Sequence, residues 1–424
     1  MYCLIKLFPF FPSLSAGLLR FKALESLFRA FSCSAALTVS VLMLPSVVHA
    51  QSVSIADYLP DYSSDYGPVV GCGVSLREDG SESEPYRYRM SMSGAIAPFV
   101  DFRYRLQFRG DFRNLFPNAA LFLEAGTSGI DRMNFYGMGN ERYYRGTGLT
   151  EDDFEITSQV TVLKASLRYP MNMAYYWFAG VGGKWVDLHL IQGSYPDLHR
   201  SEIPGIDENF AGSFHIGFHY DTRDNRYNSA ASPHTENGRA GSGEPSGDSS
   251  AVSGTLVDIE AAHFPRFFSN SCDFTRFSGE VRKYIPFSPS GYSRLVVRAG
   301  GEKIWGTYPF WEAASLGGSS SLRGYDLQRF AGDASLYAGS ELRLEAGKFT
   351  FIVPVTFGPL AFLETGRVFL EGEDSSAWHT AAGGGLWFRL DNPRFTASIA
   401  YGTGFDDGRL MDDLGIYLKA GFSF

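Results

Sequence analysis

The chain has 424 residues, with 47 glycines and an aromatic content of 15%, and charged side chains make up only 20%. This composition is typical of strands with aromatic bands joined by tight turns, and it disfavours a helical bundle. The formal net charge of −9 argues against a nucleic-acid partner, because phosphate binding needs clustered cations. The four cysteines form no CxxC motif and no cluster with histidine, so no metal or cofactor is predicted.

Residues 1–50 have the pattern of a signal peptide. Four basic side chains and one acidic side chain precede the apolar stretch SAALTVSVLMLPSVVHA, which ends in the small-residue site Val48-His49-Ala50. The uncharged stretch from Ser34 to Pro45 is too short to span a bilayer as a helix. We therefore predict export with cleavage before Gln51. Because residues 1–50 carry a net charge of +3, the formal charge of the remaining chain is −12.

Fifteen segments show the alternation of a β-strand, in which apolar side chains recur at every second position. In the last of them, GIYLKAGFSF, one face carries only apolar side chains, from Ile416 to Phe424. The predicted strands are 66–76, 86–97, 101–111, 119–126, 153–168, 174–190, 210–221, 254–264, 274–286, 292–306, 334–346, 355–370, 378–390, 394–404 and 414–424.

The other face of these strands carries arginine, glutamate and lysine, and this decides between two all-β architectures. A soluble sandwich could not bury so many charges in its core. A barrel with a wet lumen and a lipid-facing exterior holds them, and its closure leaves no unpaired edge in the bilayer. We predict a transmembrane antiparallel up-and-down β-barrel in the bacterial outer membrane, surrounded by its lipid. Phe422 and the terminal Phe424 match the aromatic ending of such barrels, which implies insertion by the barrel-assembly machinery.

The predicted organisation is a short periplasmic segment at 51–65 followed by the barrel at 66–424. Bacterial single-chain barrels have an even number of strands, so we expect sixteen. We place the missing strand near MNFYGMGN (133–140). One Gly/Ser-rich insert, 228–253, interrupts the barrel as a flexible segment.

The stretch GGSSSLRGYDLQRF (317–330) resembles a loop of the BamA/TamA-type outer-membrane assembly superfamily, also called bacterial surface antigen barrels. Three further pieces follow the family order, namely YDTRDN (220–225), GSELRLE (339–345) and FLETG (362–366). Together the four pieces extend over some two hundred residues. The resemblance implies that the loop is extracellular in topology and folds back into the lumen.

The residues of this loop indicate how it could be held. Arg323 has a planar fork suited to carboxylates, and alternation directs Glu341 inward. The resemblance places Glu364, with Phe362 and Gly366, on the lumen face. Gly324 permits the tight backbone between Arg323 and Tyr325. We predict a loop latch built from these residues. The alternative is a solvated loop with Arg323 free in water.

The loop also sets the expected topology of its neighbours. If 317–330 lies outside, the connections 141–151 and 307–316 are exposed on the outer side, and the insert at 228–253 faces the periplasm. There the insert could tether a periplasmic partner. Members of the family that this chain resembles usually carry periplasmic POTRA domains before the barrel. We expect a member lacking them, which leaves client delivery open.

Two main functions remain open at this point. One is a barrel for outer-membrane assembly, protein translocation or lipid perturbation, with a periplasmic or outer-membrane protein partner. The other is a passive porin-like or structural barrel with an internal loop plug. A barrel-embedded hydrolase is a weaker alternative. We expect no enzyme, because the sequence has no G-x-S-x-G elbow and we interpret His189, His199 and His379 as ordinary rim residues.

Overall fold

The computed structural model describes residues 52–56, 61–63, 67–78, 86–97, 103–116, 118–130, 133–140, 149–171, 174–224, 251–268, 272–350, 353–391, 394–406, 409–410 and 415–422. The predicted signal peptide, most of the Gly/Ser-rich insert and Phe424 lie outside these residues.

Twenty-two strands lie within the described residues. They are β1 (Ser52–Ala56), β2 (Asp61–Ser63), β3 (Gly67–Glu78), β4 (Tyr88–Ala97), β5 (Arg103–Phe116), β6 (Ala119–Ser128), β7 (Met133–Asn134), β8 (Glu155–Pro170), β9 (Tyr175–Leu190), β10 (Phe210–Asp221), β11 (Gly254–Phe264), β12 (Asp273–Pro286), β13 (Arg294–Thr307), β14 (Ala314–Leu316), β15 (Phe330–Gly332), β16 (Ala334–Arg343), β17 (Gly347–Thr350), β18 (Pro354–Phe369), β19 (His379–Asp391), β20 (Arg394–Asp406), β21 (Arg409–Leu410) and β22 (Gly415–Phe422). Short helical turns lie at Glu151–Phe154, Tyr195–Leu198, Arg200–Glu202, Arg266–Phe268 and Phe310–Glu312. In this part of the chain, no helix has the length and apolar character needed to cross a membrane.

The long strands form one antiparallel sheet in which neighbours along the chain are also neighbours in space. Their order is β3, β4, β5, β6, β8, β9, β10, β11, β12, β13, β16, β18, β19, β20 and β22. All fifteen predicted strands are confirmed, with bounds that differ by a few residues. The predicted all-β, up-and-down architecture is confirmed with them.

The two faces of the sheet differ as the alternation predicts. Trp177, Ile216 and Leu363 are about half exposed on the outer face. Arg105 and Lys184, in contrast, are buried on the inner face. An apolar band around a charged interior is the arrangement of a barrel in lipid, because only a lumen can accommodate the charges.

The predicted position of the missing strand was wrong. Within 133–140 only Met133–Asn134 is a strand. It pairs with the first two residues of β8, whereas β6 pairs with β8 from Val160 onward. The missing strand instead lies at 52–63, in two pieces. β1 pairs with residues 73–77 of β3, and β2 pairs with both β3 and β22. The sheet therefore already includes residues of 51–65, which were predicted to precede it.

Successive antiparallel strands place their connections alternately at two ends of the sheet. The connections that follow β6, β9 and β13 lie at one end, which we call the loop end. The connections that follow β10, β12 and β16 lie at the opposite end, which we call the turn end. The insert joins β10 to β11 and therefore starts and finishes at the turn end.

The largest apolar cluster lies inside the sheet at the loop end. Phe135, Ile203 and Trp311 come from three different connections, and they pack against inward side chains of the strands such as Phe274 and Ile304. The interior at this end is therefore occupied by connections that fold inward.

Candidate functional site: a loop docked inside the barrel

The latch loop, which we define as residues 317–330, is an ordered turn at its Gly/Ser start. The backbone N–H of Gly317 donates to Ser321 Oγ (2.9 Å), and that hydroxyl donates to the Gly317 carbonyl (3.1 Å). The Gly318 N–H donates to the Tyr325 carbonyl (2.9 Å). The start of the loop thus folds back on its tip and holds the tip in one conformation.

Arg323 at the tip lies between Glu341 of β16 and Glu364 of β18. Its Nη1 donates to Glu341 Oε2 (2.7 Å), and its Nε donates to Glu364 Oε1 (2.9 Å). The backbone N–H of Arg323 donates to the other oxygen, Glu364 Oε2 (2.7 Å). The guanidinium carbon lies 3.7 Å from the centre of the Phe362 ring, so the cation also stacks on an aromatic face.

Two further arginines complete this charged cluster. Arg298 of β13 donates to Glu364 Oε1 (2.7 Å) and to the Ser320 carbonyl (2.7 Å). Arg343 Nε donates to Glu341 Oε1 (2.7 Å). Burial alone would lower the pKa of Arg323, but Glu364 and Glu341 outweigh burial and raise that pKa, so the guanidinium stays charged.

Gly324 makes a close backbone approach that no other residue type would allow. Its φ is +99°, and a Cβ atom there would lie 2.5 Å from the carbonyl carbon of Thr403. Its N–H donates to the hydroxyl of Tyr417 on β22 (2.7 Å). The tip therefore contacts the last strands of the sheet as well as β16 and β18.

Tyr325 is buried in a pocket of the wall. Its hydroxyl is within hydrogen-bond distance of the Thr380 carbonyl (3.2 Å) and the Phe405 carbonyl (3.1 Å). Its ring packs edge-on against Phe330 and His379. Gly366 leaves room nearby, since a Cβ there would lie 2.9 Å from Leu316 Cδ1.

The stretch MNFYGMGN (133–140), where the missing strand was predicted, packs against the latch loop instead. The Tyr136 hydroxyl donates to Asp326 (2.8 Å), and the Asn134 N–H donates to Gln328 Oε1 (3.0 Å). The Gly139 N–H donates to the Ala331 carbonyl (2.7 Å). The connection after β6 is therefore a second support of the latch loop.

A second segment, which we call the cap segment (Tyr308–Leu316), is also docked inside. Glu312 is 1% exposed, accepts from Lys184 Nζ (2.9 Å) and accepts from Arg276 Nη1 (2.6 Å). Trp311 is completely buried and donates from Nε1 to the Glu208 carbonyl (3.2 Å). The prediction that 307–316 is an exposed connection was wrong at these residues.

Of the seven predicted latch residues, Glu341, Phe362 and Glu364 contact Arg323, Gly324 and Tyr325 belong to the same docked tip, and Gly366 lies beside Leu316. Sequence reasoning missed Arg298, Arg343 and Tyr417, which lie on inward faces of strands already predicted. Phe422 pairs with Phe395 in β20, and Phe424 lies outside the described residues.

The three histidines weighed in the sequence have different surroundings. His379 is buried, stacks on Phe330 at 3.7 Å between ring centres, and lies 2.9 Å through Nε2 from the Asn140 carbonyl. His199 stacks on Tyr195, and His189 is exposed. His379 therefore belongs to the wall of the Tyr325 pocket.

Solved structures with this fold are outer-membrane barrels. BamA from Haemophilus ducreyi lacking POTRA domains 1-3 matches with a TM-score of 0.54 and 12% identity, over 88% of this chain and 70% of that chain. CdiB from Escherichia coli matches with a TM-score of 0.53 and 14% identity, over 88% of this chain and 63% of that chain. CdiB from Acinetobacter baumannii matches with a TM-score of 0.50 and 11% identity, over 88% of this chain and 59% of that chain.

The chain thus spans less than two thirds of the length of either CdiB structure. No family model matches the sequence, and no curated protein matches it. The structural matches agree with the resemblance seen in the loop motif and with the apolar band on the outer face. The chain is a bacterial outer-membrane β-barrel with the fold seen in BamA and CdiB.

Proposed function

We propose that this barrel handles polypeptide in the outer membrane, in assembly or translocation, and that its working part is the junction between the first and last strands. The observation that carries the proposal is the weakness of this junction, which we call the seam. Among the described residues, β2 pairs with β22 at two positions, Tyr62–Leu418 and Ser63–Tyr417. The neighbouring pair β20–β22 has eight such residue pairs, as does β10–β11.

The docked loops support the same proposal because they occupy the lumen, which an open pore would need to keep clear. Arg323 and Glu312 are each buried between oppositely charged partners on the wall. Removing one partner of such a buried pair costs about 3–5 kcal/mol, so the two loops are firmly held. A barrel with a firmly plugged interior and a weak seam is suited to act at the seam.

The passive alternative rests on the same plug. A structural barrel would also keep its latch loop docked, and it would need no seam that opens. The two candidates differ in what happens when the seam is closed covalently, because only a working seam loses function.

The test is a disulfide across the seam. Tyr62→Cys and Leu418→Cys replace register partners in a Cys72→Ser background, which removes the exposed native thiol. A strain lacking the protein is expected to lose particular polypeptides from its outer-membrane or secreted fraction, measured by quantitative mass spectrometry. The oxidised seam variant should lose the same polypeptides, and reductant should restore them.

A matched control places the disulfide one strand away, at Ala397→Cys with Ala420→Cys, which are register partners in β20–β22. This variant should behave as wild type in both redox states. If the null strain loses no polypeptide, or if both disulfides are harmless, the passive function is the correct one.

A further inference from the structure

A cavity of about 80 Å³ lies inside the barrel beneath the latch loop, toward the turn end. Its wall is made by the inner faces of β12, β13, β16, β18, β20 and β22 and by the latch loop. A single water needs roughly 10–15 Å³ of such volume, so the cavity has room for several waters or for one small polyatomic ion.

Guanidinium groups dominate the wall of this cavity. The arginines that line it are Arg282, Arg294, Arg298, Arg323 and Arg343, and the carboxylates that line it are Glu341 and Glu364. Glu280 lies just beyond the wall and pairs with Arg282. Even with Glu280 included, five cations face three carboxylates, and the formal charge around the cavity is +2.

The strand register concentrates these cations. Arg282 lies directly opposite Arg298 in β12–β13, and Arg294 lies directly opposite Arg343 in β13–β16. Like charges in directly opposite positions destabilise a sheet. Arg294 is 3% exposed and Arg343 is 8% exposed, so solvent screens this repulsion poorly. An anion in the cavity would offset the repulsion.

We propose that this cavity is a binding site for one phosphate group, either free inorganic phosphate or the phosphate of a lipid headgroup. The planar forks of the arginines match phosphate oxygens in paired, parallel hydrogen bonds. Tyr284 and Tyr417, which also line the cavity, bring hydroxyl donors to the same space. The volume has room for one such group.

The site is coupled to the latch because Arg323 belongs to both. A ligand that binds only when the tip is docked stabilises the docked state by mass action. Phosphate is therefore expected to strengthen the latch, independently of whether the seam handles polypeptide.

The test uses the full folded barrel in a detergent without phosphate. Isothermal titration with inorganic phosphate, at constant ionic strength set by sodium chloride, should give saturable binding of one phosphate per chain. Arg294→Gln, which removes a wall arginine outside the latch, should weaken binding about tenfold or more, as expected for loss of a charged hydrogen bond. Arg109→Gln is the control and should bind phosphate within twofold of wild type. Arg109 lies on β5 and pairs with Glu124 on β6, and neither strand lines the cavity.

Equal binding by the two variants, or no saturable binding by wild type, would overturn the proposal. Should Arg294→Gln not fold, Arg294→Lys takes its place, since it keeps the charge and loses the fork. It should bind measurably more weakly than wild type, and unchanged binding would count against the site.

A second titration distinguishes the two sources of phosphate. Dihexanoyl phosphatidylglycerol, below its micelle concentration, either competes with inorganic phosphate or leaves its binding unchanged. Competition that is lost together with phosphate binding in Arg294→Gln assigns the site to a lipid headgroup. Phosphate binding without competition assigns it to the free ion.

Discussion

At the scale of single residues, the latch depends on one buried cation. Arg323→Ala removes the guanidinium that joins Glu341 and Glu364, so the buried Glu364 carboxylate and the partly buried Glu341 carboxylate both lose an ion-pair partner. We expect the folded barrel to lose about 3–5 kcal/mol, the usual effect of breaking a buried pair. The heat-induced shift of the folded band on gels should fall to lower temperature, and conductance in planar bilayers should rise.

Arg323→Lys is the graded control for this change. It keeps the charge but loses the planar fork and the stacking on Phe362, so it should recover only part of the stability. Wild-type behaviour of Arg323→Ala in both measurements would mean that the tip contributes nothing to closure.

The neighbouring glycine supports a second prediction. Gly324→Ala places a methyl group against the backbone of Thr403 and strains a φ of +99°. Gly372→Ala is the matched control, because its φ is +84° and nothing lies within 4 Å of its Cβ position. Gly324→Ala should therefore raise bilayer conductance, whereas Gly372→Ala should cost only backbone strain. Equal conductance of the two variants would show that close approach at Gly324 is unimportant.

The sequence predicts the residues of this site whose position depends on local alternation, and it does not predict those whose position depends on the folded barrel. Glu341 could be directed inward by alternation, which depends only on local spacing. Arg298 and Tyr417 could not be added, because their approach to the tip depends on the stagger between strands and on the path of the loop. The order of the Gly/Ser start could not be predicted either, because its hydrogen bonds to Ser321 and Tyr325 depend on the fold of the loop and leave no pattern in the sequence.

At the scale of structural elements, the cap segment is a second docked connection with its own ion pairs. Glu312→Gln keeps the shape of the side chain and removes the charge that Lys184 and Arg276 share. We expect a loss of about 3–5 kcal/mol of folded stability, because both cations are buried. Thermal unfolding followed by circular dichroism measures this loss.

Asp207→Asn is the matched control for the cap segment. Asp207 pairs with Arg200 at the surface, where an ion pair contributes about 0–1 kcal/mol. A Glu312→Gln barrel as stable as the Asp207→Asn barrel would show that the cap segment is not held by charge.

Strands and connections were predictable to different degrees. Long strands such as β9 and β18 can be predicted because their alternation extends over 16 residues. The segment 52–63 gives a weak signal because SVSIADYLPDYS is short, polar and interrupted by a proline. Inward folding of the cap segment has no periodic signature at all, since its apolar residues Phe310 and Trp311 resemble those of an ordinary exposed loop.

At the scale of the whole molecule, the fold predicts on which side of the membrane the Gly/Ser-rich insert begins. The connection after β10 shares the turn end with the connection after β12, opposite the latch loop. In intact cells, a cysteine introduced as Ser242→Cys in a Cys72→Ser background should therefore not react with an impermeant maleimide. It should react once the outer membrane is permeabilised, and labelling of intact cells would reverse the predicted orientation.

The seam also has a consequence for the order of folding. Tyr62 and Leu418 are paired in register but lie far apart in the chain, and bringing such distant segments of a flexible chain together costs about 5 kcal/mol of loop-closure entropy. The hairpins between them each form locally and bring the two edges near each other. Pairing of β2 with β22 is therefore expected to be the last step of folding. Before that step, the chain is a curved sheet whose two edge strands have unpaired backbone groups. A barrel that opens transiently at the seam returns to this state, which is the last stage of its own folding.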